Sequence, residues 1–227
     1  MQCHICNGET LMFTEIHNAT VCYCCKACKY IFKDPSCYQP LDKQKERYDL
    51  HQNDENSDSY KAYFQRFVDF VLPFTNSPKR ALDFGCGKST LLADILKNIG
   101  ISTDVYDPIY HPKNLSHSKK YDLIVSTEVF EHLHQPKEVF ASLVARLNPG
   151  GFLAIQTAFH PEDTDAFKTW YYHRDPTHIV FFSPKTFKRL GQMYGCVYVA
   201  DNGKNMVVLK RGEKMERKNI ISAYLKE

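Results

Sequence analysis

The sequence has no apolar run long enough to cross a membrane, and its N-terminus has no signal-peptide pattern. It also has no basic low-complexity run and no internal repeat. The net charge of +3 is too small to indicate extensive phosphate contacts. These absences favour a soluble, cytoplasmic protein without a membrane partner, and they leave its oligomeric state open. The length of 227 residues accommodates one full α/β domain and a small additional module.

One loop lacks the glycines that two common phosphate-binding motifs require. The segment 81–87 is an apolar run that turns into Gly-Cys-Gly, and a helical pattern follows at 90–98. Position 82 is Leu where a P-loop needs Gly, and position 90 is Thr where a dinucleotide fingerprint needs its third Gly. The loop still predicts a nucleotide-binding turn, because glycines let the backbone approach a ligand closely. Asp107 ends the next apolar run, where an acidic side chain can meet ribose hydroxyls.

Four motifs in this order resemble the class I S-adenosylmethionine-dependent methyltransferases. Residues 82–87 are similar to their first motif, 105–107 to the second, 121–126 to the fourth strand and 147–151 to the turn before the fifth. The resemblance covers about residues 60–210 and implies S-adenosylmethionine as the cofactor. The residues expected to contact the cofactor are Asp83, Gly85, Cys86, Gly87, Asp107 and Glu128. No third strand or adenine-contact motif is recognisable between 107 and 121, so the adenine pocket is not assigned.

The periodicity predicts an α/β fold of the Rossmann-like class. Predicted strands alternate with predicted helices, which favours a mainly parallel sheet with helices on both faces. Strands are expected at 80–84, 101–106, 121–126 and 151–157, and helices at 58–74, 90–98, 136–147 and 184–194. Apolar runs at 197–200 and 206–209 flank an Asn-Gly pair, which predicts an antiparallel C-terminal hairpin. The catalytic domain is placed at 58–211, after a linker at 39–57 and before a polar tail at 212–227.

Six of the nine cysteines lie within residues 3–28 and predict a metal site. Two Cys-x-x-Cys pairs about twenty residues apart supply four thiolates for a tetrahedral zinc. A segment of about 35 residues cannot build a stable core alone, so a structural zinc in a ribbon module at 1–38 is expected. The predicted ligands are Cys3, Cys6, Cys25 and Cys28. Cys22 or Cys24 could replace one of them, and a redox-active pair is an alternative.

A polar cluster follows the predicted fourth strand, at the sheet edge where open α/β proteins bind ligands. Glu128, Glu131 and His132 are spaced i, i+3, i+4, so on a helical turn they would share one face. Two carboxylates and an imidazole are costly to bury together unless a positive charge joins them. A divalent cation would satisfy all three, and His178, just after the fifth strand, is a candidate fourth ligand.

This Glu-x-x-Glu-His pattern with a later His resembles metal-dependent O-methyltransferases that act on small-RNA ends or in ubiquinone synthesis. The resemblance implies that Glu128, Glu131, His132 and His178 bind a metal that grips vicinal oxygens of the acceptor and lowers the pKa of the attacking hydroxyl. Two alternatives stay open. Catalysis could use His178 as a general base and His132 to orient the substrate without a metal, or the cluster could be purely structural.

The sequence therefore predicts an enzyme that methylates an oxygen of a small molecule. The residues 170–172, Trp-Tyr-Tyr, could wall a flat acceptor, either a ring or a nucleic-acid base. RNA methylation, with the ribbon as a docking module, is one alternative. A non-catalytic protein that has kept the cofactor-binding fold is another.

Overall fold

The computed structural model describes residues 1–40, 57–112 and 118–213. Most of the predicted linker and of the predicted polar tail lies outside these residues, so those two boundaries remain predictions. The strands are β1 (Thr10–Thr14), β2 (Val21–Cys25), β3 (Ile31–Lys33), β4 (Arg80–Phe84), β5 (Ser102–Tyr106), β6 (Tyr121–Thr127), β7 (Leu147–Gln156), β8 (Val180–Phe181), β9 (Cys196–Asp201) and β10 (Met206–Arg211). The helices are α1 (Asp58–Val71), α2 (Leu91–Asn98), α3 (Pro136–Arg146), α4 (Thr164–Thr169) and α5 (Pro184–Met193).

Six strands form the central sheet in the order β5-β4-β6-β7-β10-β9. The first four are parallel, while β10 runs antiparallel to both β7 and β9. This arrangement confirms the predicted fold class, including its antiparallel C-terminal hairpin. The chain leaves β4 for β5 on one side and returns to β6 on the other, so a crevice opens at the carboxyl ends of β4 and β6.

Alternation along the strands creates two hydrophobic cores, one on each face of this sheet. Leu82 and Ile124 lie in the core that also contains residues of α3 and α5. Ala81 and Leu123 lie in the core covered by α1 and α2. Successive side chains of a strand point to opposite faces, so one apolar strand supplies both cores. Helices on both faces agree with the prediction.

The N-terminal residues form a second sheet that is completed by the larger domain. Strands β1, β2 and β3 form an antiparallel meander, and β3 pairs with β8 through Ile31 opposite Phe181 and Phe32 opposite Val180. The module also packs on the α3 and α5 side, where Tyr30 and Phe32 share a core with Phe182. The sequence did not predict β1, β2 or β8.

Two elements differ from the sequence prediction at their ends. The helix predicted at 58–74 ends at Val71, and a 3-10 turn at Leu72–Phe74 contains Pro73, whose ring cannot continue the helix. The expected helical face 128–132 is wrong at its start: only Phe130–His132 form a 3-10 turn, and Glu128 has a left-handed φ of +54°. No helix in the described ranges is long and apolar enough to cross a membrane.

Candidate functional site

The glycine loop after β4 is shaped by close backbone contacts. The amide of Gly85 donates to the carbonyl of Tyr106 at 2.7 Å, with φ of +77°. A Cβ at this position would lie 2.3 Å from Cγ2 of Val129, so no side chain fits without a shift. Gly87 also has a positive φ, of +65°, but a Cβ there would meet no atom within 4 Å. The loop is therefore tight against the protein at Gly85 and open at Gly87.

Asp107, after β5, holds the next turn against this loop. Its Oδ2 accepts a hydrogen bond from the amide of Gly87 at 3.1 Å. Its Oδ1 accepts from the amides of Ile109 and Tyr110 at 2.8 and 2.9 Å. Three of about four lone-pair sites of the carboxylate are therefore used by backbone amides. Asp107 shapes the crevice, and its contact with a ribose remains a prediction.

Asp83 carries an unsatisfied oxygen at the carboxyl end of β4. Its side chain is buried, and Oδ1 has no hydrogen-bond partner among the described residues. Burial, together with the charge of Asp107, raises the pKa of Asp83 to about 7. Burial also raises the pKa of the neighbouring Cys86 thiol to about 12, so Cys86 is neutral at physiological pH. An unpaired buried carboxylate next to an open glycine loop fits a ligand that brings positive charge.

Glu128 is held by two tyrosines that reach it from distant elements. Its Oε1 accepts from Tyr63 of α1 at 2.9 Å, and its Oε2 accepts from Tyr172 at 2.8 Å. The Tyr172 hydroxyl also lies 2.6 Å from Oε1 of Glu131. Burial and the nearby Glu131 raise the pKa of Glu128 to about 8. One phenolic proton cannot serve both carboxylates at once, so the pair requires another proton or a cation.

Glu131 also comes together with His132 and His178. One possible ligand atom from each residue lies within 4.8 Å of the others. The Nδ1 atoms of His132 and His178 face the carbonyls of Thr177 and Tyr172 at 2.9 and 2.7 Å. A carbonyl only accepts, so each Nδ1 carries the hydrogen and each Nε2 carries the lone pair, the tautomer of a metal-ligating histidine.

The charges of the three residues agree with a ligand set. Burial lowers the pKa of His132, and burial together with His132 lowers that of His178 to about 3, so both rings are neutral. Glu131 is completely buried, and its Oε2 has no hydrogen-bond partner among the described residues. Two neutral imidazoles and one carboxylate oxygen fit a divalent cation. Glu128, the fourth predicted ligand, lies outside this group.

The aromatic residues at 170–172 do not form one continuous wall. Trp170 packs between Phe167 and Phe181 at ring-centroid distances of 5.8 and 5.9 Å. Tyr172 turns its hydroxyl to the glutamates, whereas the side chain of Tyr171 is 67% exposed. Phe181 and Phe182 are buried. Of the three candidate wall residues, Tyr171 is therefore the one whose ring is largely open to solvent.

The four predicted zinc ligands converge in the N-terminal module. The Sγ atoms of Cys3, Cys6, Cys25 and Cys28 all lie within 4.8 Å of one another. Two of the pairs are 3.5 and 3.6 Å apart, close to the sulfur separation of about 3.8 Å that a tetrahedron with Zn–S bonds of about 2.3 Å requires. Hydrogen bonding to Cys28 lowers the pKa of Cys3 to about 5 and raises that of Cys28. The donor set fits zinc.

Backbone geometry distinguishes the second pair from its competitors. The amide of Cys3 donates to residue 8 while the amide of residue 7 donates back to Cys3, and the same pattern recurs for Cys25 with residues 30 and 29. Residues 7 and 29 both have left-handed φ values. Cys22 and Cys24 instead lie in a separate hydrophobic cluster. The turns at 3–8 and 25–30, called the two knuckles here, are thus built alike around Cys3 and Cys25.

The polar contacts of three residues around the candidate sites were not identified from the sequence. Tyr63, Tyr172 and Lys33 each make polar contacts across 41 to 142 residues. Tyr63 falls on the apolar face of a helix, and Tyr172 was considered only as an aromatic wall. The sole available signal was that a tyrosine buried near carboxylates needs a partner for its hydroxyl.

Comparisons with known proteins agree on the fold. A family model described as a methyltransferase domain matches residues 51–201. An O-methyltransferase family protein from Burkholderia thailandensis superposes with a TM-score of 0.55 at 13% identity, over 76% of this chain and 64% of that protein, less than two thirds of its length. A putative sarcosine dimethylglycine methyltransferase from Galdieria sulphuraria gives 0.54 at 14% identity, over 77% and 99% of the two chains. A search of curated proteins finds no match.

Proposed function

Because the chain belongs to the methyltransferase-domain family, we propose that it is an S-adenosylmethionine-dependent methyltransferase that methylates a hydroxyl oxygen of a small molecule with the help of a divalent cation. The observation that carries the proposal is the pair of histidine tautomers. Both His132 and His178 direct Nδ1 to a backbone carbonyl beside the buried carboxylate of Glu131. That arrangement supports a metal centre at the edge of the sheet that also carries the glycine loop.

The loop side of the crevice would hold the cofactor. S-adenosylmethionine, when bound, supplies a methyl group made electrophilic by its sulfonium centre. Gly85, Cys86 and Gly87 would let the backbone lie close to it, because the loop is open beyond Gly87. The unpaired carboxylate oxygen of Asp83 favours a positively charged partner. Asp107 and Glu128 flank this crevice, and their cofactor contacts are part of the proposal.

The cluster side would hold the acceptor. Glu131, His132 and His178 would bind the cation, which lowers the pKa of a hydroxyl that it contacts. These residues would fix the acceptor oxygen relative to the methyl donor, and such alignment accounts for much of the rate in a transfer of this kind. The lowered pKa of His178, about 3, makes it a weak general base at neutral pH, which favours its assignment as a ligand.

Oxygen is the favoured acceptor atom for a chemical reason. A hydroxyl must lose its proton to become a good nucleophile, and a cation assists that loss directly. The name of the Burkholderia neighbour, an O-methyltransferase family protein, agrees with this choice, although its likeness concerns the fold.

The acceptor class can be tested with labelled cofactor. The full chain is incubated with methyl-labelled S-adenosylmethionine and a cell extract divided into RNA, protein and small-molecule fractions. The proposal expects label in the small-molecule fraction and no label there after treatment with a strong chelator. Label confined to RNA would support the docking alternative. Undiminished labelling of small molecules after chelation would remove the cation from the mechanism.

A matched pair of variants tests the ligand set. His178→Ala should abolish binding of Mn²⁺ by the cluster and reduce methyl transfer, while cofactor binding persists. His134→Ala is the control, because His134 is an exposed histidine two residues from His132 and outside the cluster. Equal Mn²⁺ binding by the two variants would show that His178 is not a ligand.

A further inference from the structure

A buried lysine of the N-terminal module reaches into the segment that carries His178. Lys33 ends β3, and its side chain is only 5% exposed. The Nζ atom donates to the backbone carbonyls of His173 at 2.9 Å and Asp175 at 3.2 Å. Its ammonium group also lies 5.9 Å from the ring centroid of Phe181. A buried ammonium is costly unless its hydrogens are bonded, so these carbonyls are held firmly in place.

The two carbonyls belong to the turn that orients His178. The carbonyl of Asp175, one of the two acceptors, also accepts from the amide of His178 at 3.2 Å. The Asp175 carboxylate accepts from the amide and the hydroxyl of Thr177 at 2.9 and 2.6 Å. The Thr177 carbonyl in turn faces Nδ1 of His132 at 2.9 Å. Lys33 is therefore two hydrogen bonds from the candidate ligand His178.

The same segment is fixed to the module by the backbone. The amide of Lys33 donates to the carbonyl of Ile179 at 2.9 Å, and the amide of Ile179 donates to the carbonyl of Glu131 at 2.9 Å. Residues 173–179 are thus held between β3 and the turn that carries Glu131. On the opposite side, Nδ1 of His173 lies 3.6 Å from the buried carboxylate of Glu15 in the module.

We propose that Lys33 is a positioning residue that sets the orientation of His178 from the N-terminal module. The module then acts as a wall of the active site, in addition to any role in binding a partner. This inference rests on the proposed function of His178. It does not depend on the cysteine cluster, because Lys33 contacts carbonyl oxygens of the larger domain.

The test compares Lys33→Met with Lys26→Met in the full-length protein. Both changes remove one ammonium from the module, but Lys26 is exposed and pairs with Glu9 on the surface. Lys33→Met should lower kcat roughly 100-fold, since small misplacements of a positioned group cost that much. The affinity for S-adenosylhomocysteine and the zinc content should stay within about twofold of the parent protein. Lys26→Met should leave all of these unchanged.

A spectroscopic readout separates positioning from general destabilisation. In histidine-labelled protein, the ring nitrogen signals of His178, assigned by their loss in His178→Ala, should report the Nδ1–H tautomer. They should change in Lys33→Met and not in Lys26→Met. Unchanged His178 signals in Lys33→Met would overturn the proposal, whatever the kinetics. If Lys33→Met does not fold, Lys33→Arg replaces it: a fall in kcat with unchanged signals would again overturn the proposal, and a fall in kcat with changed signals would support it.

A double-variant cycle links the lysine to the histidine. If Lys33 acts through His178, Lys33→Met should lower kcat no further in a His178→Ala background, whereas full additivity would contradict the proposal. A His178→Ala variant with unchanged kcat would instead contradict the proposed function. The ring signals would then still show whether Lys33 positions His178.

Discussion

The cysteine cluster and the carboxyl edge of the central sheet are built in opposite ways. The cluster takes its four thiols from two local knuckles with the same backbone hydrogen bonds, and three of the four cysteines are at most 2% exposed. The polar side chains at the sheet edge come from β4, β6, α1 and the segment before β8. It also contains buried oxygens without partners, on Asp83 and Glu131, within the described residues.

The difference separates a site that supports the fold from a site that is prepared for a ligand. A set of four protein ligands leaves a tetrahedral metal no open position, which is typical of structural zinc. Glu131, His132 and His178 offer three ligands, which would leave positions for an acceptor. At the sheet edge, Glu128 adopts a left-handed φ of +54° that costs free energy unless its surroundings hold it.

Removing one thiol should have the largest effect. Cys28→Ser is expected to lose zinc and to unfold the N-terminal module, because metal binding contributes about 10–16 kcal/mol to the folding of small zinc modules. Elemental analysis and thermal unfolding measure the result. Cys22→Ser is the matched control, since Cys22 is equally buried but lies outside the cluster. Full zinc content in Cys28→Ser together with loss in Cys22→Ser would reverse the ligand assignment.

The unpaired carboxylate of Asp83 should make the cofactor-free protein less stable as pH rises. Its pKa of about 7 lies above the ordinary value of 3.8, so the folded state binds the extra proton between these values. The contribution of Asp83 to stability is therefore fully present below about pH 4 and is lost by about pH 7, at most about 4 kcal/mol at about 1.4 kcal/mol per pH unit.

Chemical denaturation at several pH values measures this slope. Asp83→Asn should flatten it in this window, while the exposed Asp69→Asn should leave it as in the parent protein. An Asp83→Asn variant with the parent slope would show that Asp83 is paired.

Neutralising the carboxylate of the histidine cluster should affect catalysis and spare the fold. Glu131→Gln keeps the shape of the side chain but removes its charge, and we expect at least a 100-fold loss of Mn²⁺ affinity, since even outer partners of metal ligands contribute about 10- to 100-fold. Metal titration and kcat measure the effect. Glu138→Gln, an exposed glutamate in α3, is the control. Parent-like Mn²⁺ affinity in Glu131→Gln would contradict the assignment.

Features that depend on local patterns are the ones that the sequence could reveal. The spacing of Cys3, Cys6, Cys25 and Cys28 is a local pattern, and local hydrogen bonds place these thiols together. The strands of the central sheet were located within a few residues for the same reason: apolar runs and turns are local signals. The exception is β7, which begins at Leu147, where a turn was expected, because its pairing with β6 extends back to Tyr121.

The sequence pattern could not predict the long-range contacts. The pairing of β3 with β8 joins residues about 150 positions apart, and two apolar strand residues carry no mark of their partner. Tyr172 was recognisable as an aromatic residue, but its place between Glu128 and Glu131 depends on the tertiary fold. The left-handed backbone of Glu128 was also unpredictable, because few non-glycine residues adopt it.

The smallest effect is expected at the glycine loop, where a single added methyl group tests how tightly the backbone is packed. Gly85→Ala would place Cβ 2.3 Å from Cγ2 of Val129, and the clashing atoms belong to a side chain. Relaxation of such overpacking costs about 1–3 kcal/mol, so the Kd for S-adenosylhomocysteine should rise about tenfold, as calorimetry can measure. Gly203→Ala has a similar positive φ of +70° but meets no atom within 4 Å, and it should bind like the parent protein.

A second substitution decides whether the clash is the cause. Val129→Ala removes both clashing methyl groups, so the double variant Gly85→Ala/Val129→Ala should recover most of the lost affinity. Without recovery, the loss would come from the backbone conformation of Gly85 itself, since its φ of +77° disfavours any side chain. Recovery would mean that Val129, one residue after Glu128, sets the position of the glycine loop. It would thereby connect the cofactor loop to the chain that leads into the histidine cluster, whereas the backbone hydrogen bonds that shape each cysteine knuckle are local.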